Sequence, residues 1–247
     1  MTTLSQSTDF PFYACKVGHV ETIRNFLNSE DALNKKLHSP YRMLMIASKN
    51  GHLEIVKLLL DSPFSKNERT YSEIKDYMHE AIQKGYLDIV KFLREIPVFK
   101  EETDDAKCAR VVLFSAGSGQ LNILKYALQE FKDDPMTKQV LENGGAIEAA
   151  CEEGKLDVVQ FLIELPIERK NKQLTPFFES AYKYDRLEVL QYLIFELNLE
   201  KNDDINQLMN NKPNIQVEQL FEMKKLNNAL QKELCSTDNS KLKKMKV

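Results

Sequence analysis

The chain has no excess of basic residues: 34 Lys and Arg stand against 37 Asp and Glu, for a formal charge of −3. That excludes bulk nucleic-acid binding, which requires many phosphates to be neutralised at once. No apolar run approaches the roughly 20 residues needed to span a bilayer. The polar opening MTTLSQSTDF has neither the basic nor the apolar region of a secretory signal. A soluble protein is expected. The four cysteines, Cys15, Cys108, Cys151 and Cys235, form no CxxC pair, so neither a zinc site nor a disulfide framework is implied, and a reducing, cytoplasmic compartment fits.

What is present is a repeat. The segment NGHLEIVKLL, anchored on Gly51, recurs with equivalent positions at Gly18, Gly85, Gly119, Gly154 and Asp185, at spacings of 31 to 35 residues. Periods of this length mark stacked helical units. Four residues before each anchor stands a small side chain: Ala14, Ala47, Ala81, Ser115, Ala150 and Ala181. Two helices can approach closely there. After the anchor, the second, fifth and eighth positions are apolar, as in Leu53, Val56 and Leu59. With the fourth position they form the wide buried stripe of an amphipathic helix. The third and sixth positions, as in Glu54 and Lys57, are polar and solvated. Each anchor glycine suits a tight turn at positive φ, which Asp185 tolerates at some cost. Pro63, Pro97 and Pro166 follow second helices, where a helix seldom continues.

The pattern AxxxGxLxIVxxLL at a period near 33 resembles the ankyrin repeat over about residues 10–198. The resemblance implies an all-α solenoid of about six degenerate helix-turn-helix units, whose concave face commonly binds proteins. Two family features are missing. The TPLH start is reduced to RMLM and YMHE, where only His79 keeps the family's His. The glycine-led hairpin finger is absent, and connectors such as PFSKNERTYSEIK read as loop plus an extra helical turn.

The expected organisation is a flexible N-terminus (1–9), the array (10–198), a helical cap or docking segment (199–236) and a basic flexible tail (237–247). Within the third part, Val217, Leu220, Met223, Leu226, Leu230 and Leu234 recur every three or four residues and predict a helix over about 215–235. Thr22 and Asn25 give the first repeat a polar outer side, which suits a terminal cap.

Catalysis is not expected. No two of the four histidines have metal-ligand spacing on one helix, so neither metal nor cofactor is implied. Cys15 and Cys151 follow the packing alanines and read as inert core thiols. SAGSGQ, from Ser115 to Gln120, is neither GxSxG nor a phosphate loop. An enzyme built on a C-terminal appendage is poorly supplied, since residues 198–247 contain no His and one Cys.

The resemblance instead puts partner contacts at the first-helix ends: Lys16, Lys49, Asn50, Gln83 and Lys84 on a basic first half, Glu152 and Glu153 beyond it, then Lys183 and Tyr184. Tyr41 and Tyr71, read as connector residues, add aromatic anchoring. The expected partner is a protein, and the chain a monomer. The helix endings FLREIP and FLIELP, the missing fingers and the tail KLKKMKV are similar to ankyrin proteins that intracellular bacteria deliver into host cells by type IV secretion. That similarity implies a host protein as partner. The alternative is a regulatory or targeting adaptor of the producing cell.

Overall fold

The computed structural model describes residues 10–33, 39–63, 70–101, 107–167 and 174–244. Among these residues there are sixteen α-helices and no strand. The N-terminus expected to be flexible, and the last three residues of the expected tail, lie outside them. The chain is the all-α helical repeat solenoid that its periodicity predicts, and it divides into two compact units, Met1–Leu141 and Glu142–Val247.

In the first unit, α1 (Phe10–Val17) pairs with α2 (Val20–Leu27), α3 (Pro40–Lys49) with α4 (Leu53–Asp61), and α5 (Tyr71–Lys84) with α6 (Leu87–Arg94). The short α7 (Pro97–Glu101) then precedes the pair α8 (Lys107–Ser118) and α9 (Leu121–Phe131), and α10 (Pro135–Glu142) closes the series. First helices stack on first helices through α1, α3, α5 and α8, and second on second through α2, α4 and α6. The small residues Ala47, Ala81 and Ser115 are fully buried at these crossings. So are the fifth- and eighth-position side chains Val56, Leu59, Leu93 and Leu124; each large one contributes about 1.5–3 kcal/mol by leaving water. The polar third and sixth positions meet across one turn, with Lys57 Nζ 2.9 Å from Glu54 Oε1. The start of α5 takes up part of the connector read as an extra turn, because Thr70 and Glu73 form a reciprocal capping box.

The second unit holds three pairs rather than two. After α11 (Gly145–Glu152) with α12 (Leu156–Glu164), and α13 (Thr175–Lys183) with α14 (Leu187–Gln191), come α15 (Asp203–Asn211) and α16 (Ile215–Lys244). A π-helical turn, Tyr192–Glu196, extends α14. α15 packs on α13 and α16 on α14, in the manner of the earlier pairs. The Asn- and Asp-rich stretch without period thus contains a first helix. Asn202 caps it by accepting from Ile205 N at 2.9 Å, while Ile205 and Met209 are its buried positions. The helix expected over about 215–235 runs to Lys244.

One turn geometry recurs throughout. The five anchor glycines have φ between 69° and 82°, and Asp185 has φ 56°. In every repeat the residue after the anchor donates its backbone N–H to the carbonyl of the small residue, as in His52 N to Ala47 O (3.0 Å), Gln120 N to Ser115 O (2.9 Å) and Arg186 N to Ala181 O (2.9 Å). This is the six-to-one bond of a Schellman turn. In three repeats the side chain of that same residue also bonds back to the preceding repeat. His52 Nε2 donates to Lys16 O (3.0 Å), Gln120 Nε2 to Gln83 O (3.2 Å) and Arg186 Nε to Glu152 O (2.6 Å). Each carbonyl belongs to the last turn of a first helix, where no intrahelical donor remains.

The seventh pair supplies the next rung, since Lys212 Nζ donates to Lys183 O and to Asp185 Oδ2, both at 3.0 Å. Asn214 Nδ2 donates to Asp185 Oδ1 at 3.1 Å, so the left-handed Asp185 is held by its own carboxylate.

Gly51 therefore has a second reason to be glycine, because a Cβ there would lie 2.4 Å from Cε1 of Tyr86, the residue after the next anchor. Gly51→Ala is expected to destabilise the chain by about 2 kcal/mol or more, since left-handed φ costs an L-residue ~1–2 kcal/mol and the Tyr86 ring must also move. Urea unfolding of the two chains measures this.

Candidate functional site

The first-helix ends do not all project free groups. Lys16 and Lys84 are exposed, with no ion pair among the described residues. Lys49 is exposed but lies 3.5 Å from Glu80 Oε2, close enough for an ion pair though without hydrogen-bond geometry. Asn50 Nδ2 donates to Ile46 O at 2.7 Å, finishing its own helix. Gln83 Nε2 lies 3.0 Å from His79 Nε2, and the Gln83 carbonyl is already a rung of the ladder.

Tyr41 is not a connector residue. It sits in the first turn of α3, donates its hydroxyl to Asp76 Oδ2 at 3.1 Å, and packs its ring 5.6 Å from that of Tyr77. Burial and Asp76 together hold its hydroxyl above the ordinary tyrosine range. Tyr71 is likewise helical, the first residue of α5, and its side chain lies outside the described ones. In the first unit, two exposed apolar side chains, Tyr13 and Val17, stand one turn apart on α1 beside Lys16. Tyr13 occupies the position five before the anchor, where the sequence varies from repeat to repeat; that variability was the available signal.

In the second unit, Glu153 is 3.8 Å from Arg186 Nη2, and Lys183 Nζ lies 5.1 Å from the centre of the exposed Tyr184 ring. Glu148, a half-buried residue of α11, belongs to an acidic group with Glu152 and with Glu179 of α13. Burial, then repulsion from Glu152 and Glu179, raises the Glu148 carboxyl above the ordinary glutamate range.

Chemistry of the catalytic kind has little to build on among these side chains. Burial pushes the thiols of Cys15 and Cys151 up to about 12, so neither holds a useful fraction of thiolate near neutrality. Among the described residues, no group of three His, Cys, Asp or Glu is placed to hold a metal ion, and no helix is long and apolar enough to cross a membrane.

Stacked helix pairs joined by Schellman turns define a protein of the helical-repeat class. The family model described as ankyrin repeats (3 copies) matches residues 12–104, a stretch within the first compact unit. No curated protein matches the chain.

Because its carboxyl is easier to protonate in the folded state, Glu148 adds most to stability below the ordinary glutamate pKa, and that contribution is lost as pH rises through the raised folded value. Glu148→Gln is therefore expected to raise the melting temperature at neutral pH. The gain should vanish in acid, where both chains are neutral at this position; a pH series of thermal melts reads the difference.

Proposed function

We propose that the chain is a non-catalytic scaffold that holds a protein partner along its first-helix ends, the side that is concave in ankyrin arrays, and that it does so as a bacterial effector engaging a host protein. The observation that carries the binding reading is the division of labour within each repeat. Anchor, small residue and apolar stripe are committed to packing, while the positions just before the anchor change chemistry from repeat to repeat and face solvent. In the first unit these are Lys16 and Val17, with Tyr13 on the same helix, and Lys84 at the end of α5. Exposed cations and an exposed aromatic favour a partner surface that is acidic and has an apolar pocket. In the second unit Glu152, Glu153, Lys183 and Tyr184 occupy the same positions with mixed charge. Lys49, Asn50 and Gln83 contribute shape, since their side chains already have neighbours. The effector reading is supported by the proline-ended second helices, by the connectors without a glycine-led finger, and by the basic tail.

Two experiments test the parts separately. Affinity capture from host lysate is expected to recover a protein that is lost with Tyr13→Ala combined with Lys16→Glu and Lys84→Glu; all three side chains are exposed, so the fold should survive. Unchanged capture would overturn the surface. A reporter fusion is expected to enter host cells with the full chain and not without residues 236–247, whereas export of neither fusion favours an adaptor of the producing cell.

A further inference from the structure

Beyond Lys224 the inward side of α16 turns from apolar to basic. Val217, Leu220 and Phe221 are buried along it, and Lys224 is the last side chain there to be covered. The Lys224 ammonium donates to Leu199 O at 2.8 Å and meets Glu200 Oε1 at 2.9 Å. Lys225, Asn228 and Lys232 lie within about 40° of Phe221 around the helix, at 100° per residue, yet all three are exposed. With Lys201 and Glu222 they line a cleft of about 520 Å³ between α16 and the residues that precede α15.

The charges in this cleft do not balance. Glu200 is matched by Lys224. Lys201, Lys225 and Lys232 have no ion pair among the described residues, and they face a single further carboxylate in the lining, that of Glu222. Lys201 is held at the cleft by the Phe221 ring, with Nζ 5.4 Å from its centre. Lys225 and Lys232, seven residues apart, stand about 10.5 Å apart along the helix axis. Between them Ala229 leaves a low floor, and Asn228 presents an amide that has no hydrogen bond among the described residues and is able both to donate and to accept. In an open polyproline-type peptide, side chains three residues apart lie on one face about 9 Å apart, and the backbone groups are free to bond outward. Acidic side chains at that interval match the two lysines, with the Asn228 amide left for the peptide backbone. A nucleic-acid strand fits less well, because it carries a charge at every nucleotide and would set phosphates against Glu222 too.

We propose that this cleft binds an extended acidic segment of another protein, with carboxylates three residues apart on Lys225 and Lys232. The site is separate from the first-helix ends.

The test uses the full chain and three labelled probes, with binding read by fluorescence anisotropy. The first is a peptide with Glu at every third position among Ala and Pro, the second has Gln in place of each Glu, and the third is a single-stranded oligothymidine of the same charge as the first. The Glu peptide is expected to bind and the Gln peptide not. Lys225→Gln with Lys232→Gln should weaken the Glu peptide roughly tenfold or more, while the exposed location of both side chains leaves the melting temperature unchanged. Glu222→Gln should tighten the Glu peptide, since it removes a like charge from the lining. The proposal is overturned if the Glu peptide does not bind, if it binds the double Gln variant equally well, if Glu222→Gln leaves its affinity unchanged, or if the oligothymidine binds more tightly than the Glu peptide.

Discussion

The last carbonyls of a first helix have no donor within that helix, and the way this deficit is met organises each of the two compact units. The chain turns out of the helix through a left-handed residue, and the backbone N–H just beyond closes back on the small residue four before the anchor. A second carbonyl is met from outside, by the side chain that follows the next anchor. Each such bond joins one side chain to one carbonyl and weakens steeply out of alignment, so it favours a single register of a pair on its neighbour. Apolar stripes alone would permit sliding; a hydrogen bond to a single carbonyl does not.

The same constraint accounts for the irregular members. Tyr86 brings no donor toward the previous helix end and instead lays its ring over Gly51. Asp185 departs from glycine, yet its carboxylate takes Lys212 and Asn214, so the side chain that costs energy at positive φ also secures the last pair. Those bonds hold the Asp185 carboxyl below the ordinary aspartate range, with Lys212 the leading cause. Tyr182, whose hydroxyl donates to the Lys212 carbonyl, ties the same two pairs from the buried side. The seventh pair therefore joins the stack by the means used between repeats, and only α16 beyond Lys224 leaves it.

Sequence periodicity was strongest where one residue type serves several repeats. Anchors, small residues and fifth and eighth apolar positions could be read because each is constrained six times over. α15 escaped notice for the opposite reason: two turns with Ile205 and Met209 as their buried positions, in a stretch of Asn and Asp, offer too few apolar points to establish a period. The candidate surface was visible only as positions. That Tyr41 serves Asp76, Lys49 neighbours Glu80 and Asn50 finishes its own helix depends on what the adjacent helix brings near, and no spacing within one repeat encodes it.

By itself the sequence determined the all-α repeat, its period, its turns and the residues committed to the core, because those follow from φ preferences and from the 3.6-residue periodicity of a buried face. Only the tertiary structure decided which polar side chains remain free. Hydrogen bonds such as His52 to Lys16, Gln120 to Gln83 and Arg186 to Glu152 join residues 34 to 37 apart, and their geometry exists only once two helix pairs are stacked.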